Sequence, residues 1–341
     1  MIPCHPARLE SEPWQRELAD AVTDPRELLQ MLDLSPADLP VLRQASAAFA
    51  LRVPRYFVGL MQPGDPHDPL LAQVLPAAAE LQSVPGFVAD PVEDLAAARG
   101  DGILQKYRGR ALLITTGACA VHCRYCFRRH FPYAEQPLLR RWPDALARLR
   151  ESDDLREVIL SGGDPLSLSD TRLADLVEGI AAIPQVERLR IHTRLPVVLP
   201  ARVGDGLARL LAGTRLQTVC VIHANHPREI TPELACAMDR LRSAGVALLN
   251  QSVLLKSVND DADILAMLSE ALFRVGVLPY YLHLLDPVAG AAHFEVGAGR
   301  AGTLLAQLRS ALPGYLVPRL VREVPRADSK VPLDLLPPPE D

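Results

Sequence analysis

From residue 110 onward the chain alternates short, unbroken apolar runs with longer amphipathic ones. The apolar runs are ALLITT (111–116), EVILSG (157–162), RLRIHT (188–193), LQTVCVIH (216–223), VALLNQSVLL (246–255) and VLPYYLHLL (277–285). Their length and β-branched content mark strands buried on both faces. Between them, TRLADLVEGIAAI, VGDGLARLLAG, TPELACAMDRLRSAG, DADILAMLSEALFRVG and AGTLLAQLRSAL place apolar residues three and four apart, as one-sided helices do. After the first unit the period is about 30 residues, the size of one βα unit. Successive right-handed units build a parallel sheet, and enough of them curl into a barrel. Six units fall short of a closed TIM barrel, so the expected fold is α/β, an incomplete TIM-type (β/α)6 barrel. A doubly wound open sheet is the alternative.

Residues 1–104 have a different texture. WQRELADAV, PRELLQML and SPADLPVLRQASAAF have helical spacing, with Asp24-Pro25 and Ser35-Pro36 as start signals. Turns at Pro63-Gly64-Asp65-Pro66 and Val84-Pro85-Gly86 break them up. The chain therefore divides into an N-terminal helical segment, 1–104, in which no chemistry is evident, and a barrel with its C-terminal segment, 105–341. In such barrels the chemistry lies at the carboxyl ends of the strands, and the polar motifs follow that rule. A cysteine loop follows the first strand, Ser161-Gly162-Gly163-Asp164-Pro165 the second and His192-Thr193-Arg194 the third. His223-Ala224-Asn225-His226 follows the fourth, Gln251 lies in the fifth, and His283 to Asp286 end the sixth.

Composition narrows the class. Apolar residues make up 49%, enough for a sizeable core, and the net charge of −5 argues against a nucleic-acid or membrane-surface footprint. There is neither a signal core nor an apolar run long enough to span a bilayer. Six cysteines without a secretory signal imply a reducing cytoplasm. Only Lys106, Lys256 and Lys330 are lysines among 36 basic residues. Arginine cannot form an imine, so each surviving lysine is a candidate for work that needs a primary amine.

Cys119, Cys123 and Cys126, spaced C-x3-C-x2-C in GACAVHCRYCFRRH, carry the sharpest signal. Electron-transfer clusters usually close all four irons with cysteine; three thiolates leave one iron open to a small molecule. A Cys3His zinc knot completed by His122 or His130 is the other reading. With Tyr125 before the third cysteine, the pattern resembles the radical S-adenosylmethionine (SAM) superfamily. That resemblance implies a [4Fe-4S] cluster on the three cysteines and SAM contacts from Gly162, Gly163 and Asp164.

A wider resemblance covers residues 14–336. The stretches LITTGACAVHCRYCFRRHFPYAE, LSGGDPL, RIHTRLPVVLPARV, HANHPREIT, LLNQSVLLKSVND, PYYLHLLDPVAGAAHF and SKVPL resemble, in order, the lysine 2,3-aminomutase family. The nearest branch makes β-lysine for the modification of bacterial elongation factor P. The resemblance implies that Lys330 binds pyridoxal 5′-phosphate (PLP) covalently and that Lys106, Tyr107 and Arg110 grip its phosphate, Lys106 standing where the family has arginine. It implies Gln251 and His223, with its neighbours Asn225 and His226, near SAM. Arg128 would pair with the substrate carboxylate, while Asp286 and Glu323, the latter in place of the usual aspartate, would hold the far ammonium of lysine. A glutamate substrate would need a cation there instead.

The activity implied is an isomerase reaction. A cluster reduced by a one-electron donor cleaves SAM, and the radical formed takes a hydrogen from Cβ so that the amino group migrates from Cα. The implied partners are lysine, the reductant and, downstream, an elongation factor P lysyl-transferring ligase. A homo-oligomer is also implied, although the family's zinc-binding cysteine is Asp261 here and the sequence continues only to Asp341, which puts the zinc-supported assembly in doubt. Two rivals stand beside this reading: a radical SAM enzyme without PLP, and a non-catalytic iron–sulfur or zinc protein. Cys4, Cys220 and Cys236 are expected to be inert.

Overall fold

The computed structural model describes residues 13–135 and 138–333; Cys4 lies outside them. One sheet of nine strands runs in chain order. Its strands are β1 (Ile103–Leu104), β2 (Arg110–Thr116), β3 (Glu157–Gly162), β4 (Arg188–Thr193), β5 (Gln217–Ile222), β6 (Ala247–Val253), β7 (Leu278–His283), β8 (Arg319–Arg322) and β9 (Val331–Pro332). Pairing from β2 to β8 is parallel throughout. The consecutive order excludes the doubly wound alternative, in which strand order reverses at a switch point. A partial barrel results, as the periodicity predicts, with one more parallel strand than the six apolar runs provide.

The two edge strands are too short to read from sequence. β1 pairs antiparallel with β2 and β9 antiparallel with β8, so each rim is finished by a tight return. These returns matter for the site. The β8–β9 register sets Arg322 opposite Val331, which brings Glu323 and Lys330 face to face.

Helices Asp170–Ala181, Asp205–Ala212, Pro232–Ser243, Ala262–Arg274 and Ala298–Ala311 cover the sheet where the amphipathic patterns place them. Their starts follow local chemistry: Thr231 accepts from Leu234 N and Asp261 from Asp263 N and Ile264 N, meeting donors that have no partner within the helix. Asp261 thus acts as a helix cap. A further helix, Trp142–Arg150, completes the first crossover. In the N-terminal segment Asp24 caps Pro25–Met31 as expected. Ser35 instead bonds Ala37 N, and the helix starts at Leu39. One apolar cluster joins Leu28, Phe57 and Leu71 of this segment to Leu160, Ile191 and Met238 of the barrel. Among the described residues no helix is long and apolar enough to cross a membrane.

Candidate active site

A cavity of about 670 Å³ occupies the barrel interior, a size suited to small-molecule ligands. All three motif cysteines line it, as do Lys330, Asp286 and Arg128. It is deeper than the loop rule predicts: Arg110 and Arg319, which open β2 and β8, also face it. The site therefore runs from the carboxyl ends of the strands toward their starts.

At one end lie the cysteines. Burial, reinforced by the neighbouring thiols, holds Cys119 well above its usual range and pushes Cys126 up to about 11. Such thiols stay protonated until a bound metal deprotonates them. The zinc reading needs a histidine alongside. His122 Nδ1 is instead 2.9 Å from Ala50 O and His130 Nε2 3.0 Å from Ala289 O. Among the described residues no three His, Cys, Asp or Glu side chains gather around a single-ion site. With both histidines bonded to backbone carbonyls, a group held by the three thiolates alone fits the loop better than a Cys3His zinc site.

The Gly-Gly-Asp loop packs directly on the cysteine loop. Gly163 N donates to Thr116 O at 2.7 Å and Asp164 N to Ala118 O at 2.8 Å. A Cβ on Gly163 would lie 2.4 Å from Ala118 O, and Gly162 adopts φ +113° with a Cβ position 2.8 Å from Thr116 O. The glycines are thus required by loop-on-loop contact as well as by ligand approach. Asp164 is 6% exposed, and both its oxygens are taken. They accept from Leu166 N and Thr193 Oγ1 and from Arg194 N and Leu195 N, at 2.7–3.0 Å. The carboxylate fastens the loop after β4.

His223 and Gln251 line the cavity, and His223 Nε2 and Gln251 Oε1 are buried without a partner. Burial takes His223 down to about 4, so it is neutral. Such orphaned polar atoms fit a polar ligand such as SAM. Asn225 is spent on structure, donating to Gln73 Oε1 and the Tyr125 hydroxyl. His226 turns away and caps Pro227–Glu229.

At the other end, Lys330 Nζ lies 2.5 Å from Glu323 Oε2, and the Tyr107 hydroxyl donates to Glu323 Oε1 at 2.6 Å. Burial alone would raise Glu323; the Lys330 ammonium and these hydrogen bonds outweigh it and hold the carboxyl below its usual range. Lys106 Nζ is 3.9 Å from Glu323 and 2.7 Å from Asp94 Oδ1. Arg128 Nε donates to the other Asp94 oxygen at 2.6 Å, and its Nη1 to Ser161 Oγ at 3.1 Å. Arg110 stacks on the Tyr107 ring, 4.9 Å from its centroid. An accessible primary amine near cations that open toward the deep end fits the aldehyde and phosphate of PLP. Asp286 has one buried oxygen with no partner, and burial pushes it up to about 7 despite Lys330. It awaits a cation.

Three participants escape the sequence reading. Asp94, 2% exposed, ties Lys106 to Arg128, and Tyr133 faces the cavity while donating to Gly162 O at 3.0 Å. Arg194 reaches the cysteine loop. Its place at a strand's carboxyl end was the available signal. Asp94 has none, since VEDLAAARG resembles an ordinary solvated turn. Cys220 is buried in β5, and Cys236 is exposed; neither approaches the site.

Comparison with known proteins agrees with this geometry. Residues 113–268 match the Radical SAM superfamily. The chain is 50% identical over 326 residues to L-lysine 2,3-aminomutase of Escherichia coli (strain K12), covering 95% of each. It is 48% identical to the Haemophilus influenzae enzyme of that name, covering 95% of this chain and 96% of the relative. To the Clostridium subterminale L-lysine 2,3-aminomutase it is 32% identical, covering 94% and 77%. With its cysteine loop, imine-competent lysine and orphaned acid in one barrel, the chain belongs to the lysine 2,3-aminomutase family of radical SAM enzymes.

Proposed function

We propose that the protein is an L-lysine 2,3-aminomutase, an isomerase moving the amino group of lysine from Cα to Cβ. The observation that supports this is the charge of the cavity lining, where the Arg128 guanidinium beside Ser161 shares one cavity with Glu323 and with Asp286, whose buried carboxyl oxygen is unpartnered. An α-amino acid with a distant ammonium matches those charges; glutamate does not.

The cysteines Cys119, Cys123 and Cys126 would hold the [4Fe-4S] cluster, with SAM against Gly162, Gly163, His223 and Gln251. Lys330 would hold PLP, its phosphate facing Arg110, Tyr107 and Lys106. Together these groups supply the hydrogen-abstracting radical and the carrier for the migrating nitrogen. The chain's own residues bind and orient. Arg128, planar and bidentate, fixes the carboxylate, while Asp286 and Glu323 fix the far ammonium, so that Cβ is presented in one place only. Neutral His223 and the apolar wall of Val253 and Leu285 keep bulk water from a reactive centre.

We place the enzyme in the cytoplasm, where thiols stay reduced and an electron donor can reach the cluster. We assign its product to a ligase that modifies elongation factor P. The relatedness to the Escherichia coli enzyme over 95% of both chains supports that branch. Within the N-terminal segment, residues 13–104 serve as a brace for the cysteine loop, since His122 N donates to Arg52 O and Arg124 N to Gln73 O, each at 2.9 Å. Anaerobic incubation with lysine, SAM and a reductant, followed by mass spectrometry of the amino acids, tests the proposal. β-Lysine is expected; unchanged lysine alongside cleaved SAM would refute it.

A further inference from the structure

Arg194 is a buried cavity residue whose position the amino-group transfer does not explain. It is 5% exposed, and its Nη1 lies 3.0 Å from Cys123 Sγ and also contacts the Tyr125 hydroxyl. Nη2 donates to Gln73 Oε1 at 2.8 Å and stands 3.6 Å from Glu229 Oε2. The Phe57 and Tyr125 rings flank the guanidinium, 5.6 and 5.5 Å from its carbon, a cation–π arrangement.

Burying a cation is costly unless it is paired and hydrogen-bonded, and the simplest solution would be a two-pronged bond to Glu229. The structure does otherwise. Gln73 comes between them: its Oε1 takes one arm of the guanidinium, while its Nε2 donates to Glu229 Oε1 at 2.9 Å. Asn225 N donates to that same carboxylate oxygen at 3.2 Å. The other guanidinium arm is thereby aimed at a sulfur. Of the three motif cysteines, Cys123 is the one that Arg194 contacts.

We propose that Arg194, held in place by Gln73, sets the reduction potential of the cluster through a charged N–H···S bond to Cys123. The inference rests on the assignment of the cluster to the three cysteines. Reduction adds an electron to the cluster, whose negative charge is partly carried by its thiolates. A donor with a full positive charge at one sulfur favours the reduced state over the oxidised one and raises the potential, because net charge and hydrogen bonds to sulfur are what tune such clusters. Arg194 is a positioning residue here: it acts on the electron the cluster accepts, and it does so from outside the ligand set. Gln73 belongs to the N-terminal segment, so the brace reaches from that segment to the metal ligand.

The test is a redox titration of the anaerobically loaded protein, without SAM or lysine, followed by visible absorbance and electron paramagnetic resonance. Iron and sulfide are counted in parallel. Arg194→Gln should keep its cluster and shift the one-electron equilibrium at least tenfold toward the oxidised form, a fall of ~59 mV. Arg194→Lys, which keeps the charge but loses the fork, should shift less. Gln73→Met leaves the cation but removes its anchor, and should shift the same way by a smaller amount. If Arg194→Gln does not fold, Gln73→Met decides. A variant with full iron and the parent's potential overturns the inference. Iron lost from all folded variants would make Arg194 a mere brace and overturn it equally. A parent protein that binds no iron would instead bring down the cluster assignment itself.

Discussion

The cysteine end and the lysine end of the cavity meet their charges in opposite ways. Around the cysteines, cations are tied into the fold: Arg124 and Arg129 both pair with Glu80, whose side chain is 1% exposed. Arg124 also donates to Phe49 O at 2.7 Å, and Arg194 is shared among Cys123, Gln73 and Glu229. Toward the lysine end Asp286 Oδ1 and His283 Nε2 are buried without hydrogen-bond partners, as are His223 Nε2 and Gln251 Oε1 where SAM is assigned. A resident inorganic group needs a cage that does not change. A ligand that arrives and leaves needs polar groups whose partners it supplies, and each of these costs stability until it comes.

Breaking the cage should have the largest effect. Cys123→Ala is expected to abolish iron binding and SAM cleavage together, read from the visible spectrum and from methionine release. Lys330→Ala should separate the two ends: iron content and SAM cleavage persist, while PLP absorbance and β-lysine formation disappear. Full aminomutase activity in that variant would remove Lys330 from its role.

Asp286→Asn sharpens the comparison within the lysine end. Removing one member of a buried charge pair costs at least ~2 kcal/mol, so the KM for lysine should rise ~30-fold, with iron and PLP content unchanged. The same carboxyl should make lysine binding depend on pH. Its value of about 7 means that it is protonated below that point and cannot pair with an ammonium, so apparent affinity should strengthen as pH rises through 7. In Asp286→Asn the dependence should flatten. For stability the sign is reversed: because its folded value lies above the ordinary 3.8, Asp286 favours the fold while protonated, and that contribution is lost as pH rises through 7. The smallest effect is reserved for a control outside both ends. Asp261→Ala removes a helix cap worth ~1 kcal/mol, lowering the unfolding midpoint while leaving iron, PLP and product formation as they were.

Sequence and structure agree most closely where the pattern is local. Apolar runs bounded by turn residues gave every parallel strand from β2 to β7 within two residues, because a strand buried on both faces must be apolar along its length. What escaped was tertiary. β9 is two residues long and exists because β8 accepts it, yet it sets Lys330 against Glu323. Gln73 is the single polar residue in LLAQVL, and only the fold shows that it meets Arg194. The N-terminal segment, in which the sequence shows no chemistry, supplies Gln73, Glu80 and Asp94 to the two ends of the cavity. Residues of one motif proved separable as well, since Asp164 fastens a loop while its glycines make room for the cysteine turn.

In the proposed enzyme one cavity brings an open-iron cluster and a lysine anchored at both ends close enough to exchange a hydrogen atom. Lysine deuterated at Cβ, incubated anaerobically with SAM and reductant, tests it most directly. The label should appear in 5′-deoxyadenosine and return to the carbon that the amino group has left. β-Lysine formed without label ever entering 5′-deoxyadenosine, or SAM cleaved with no β-lysine at all, would contradict it.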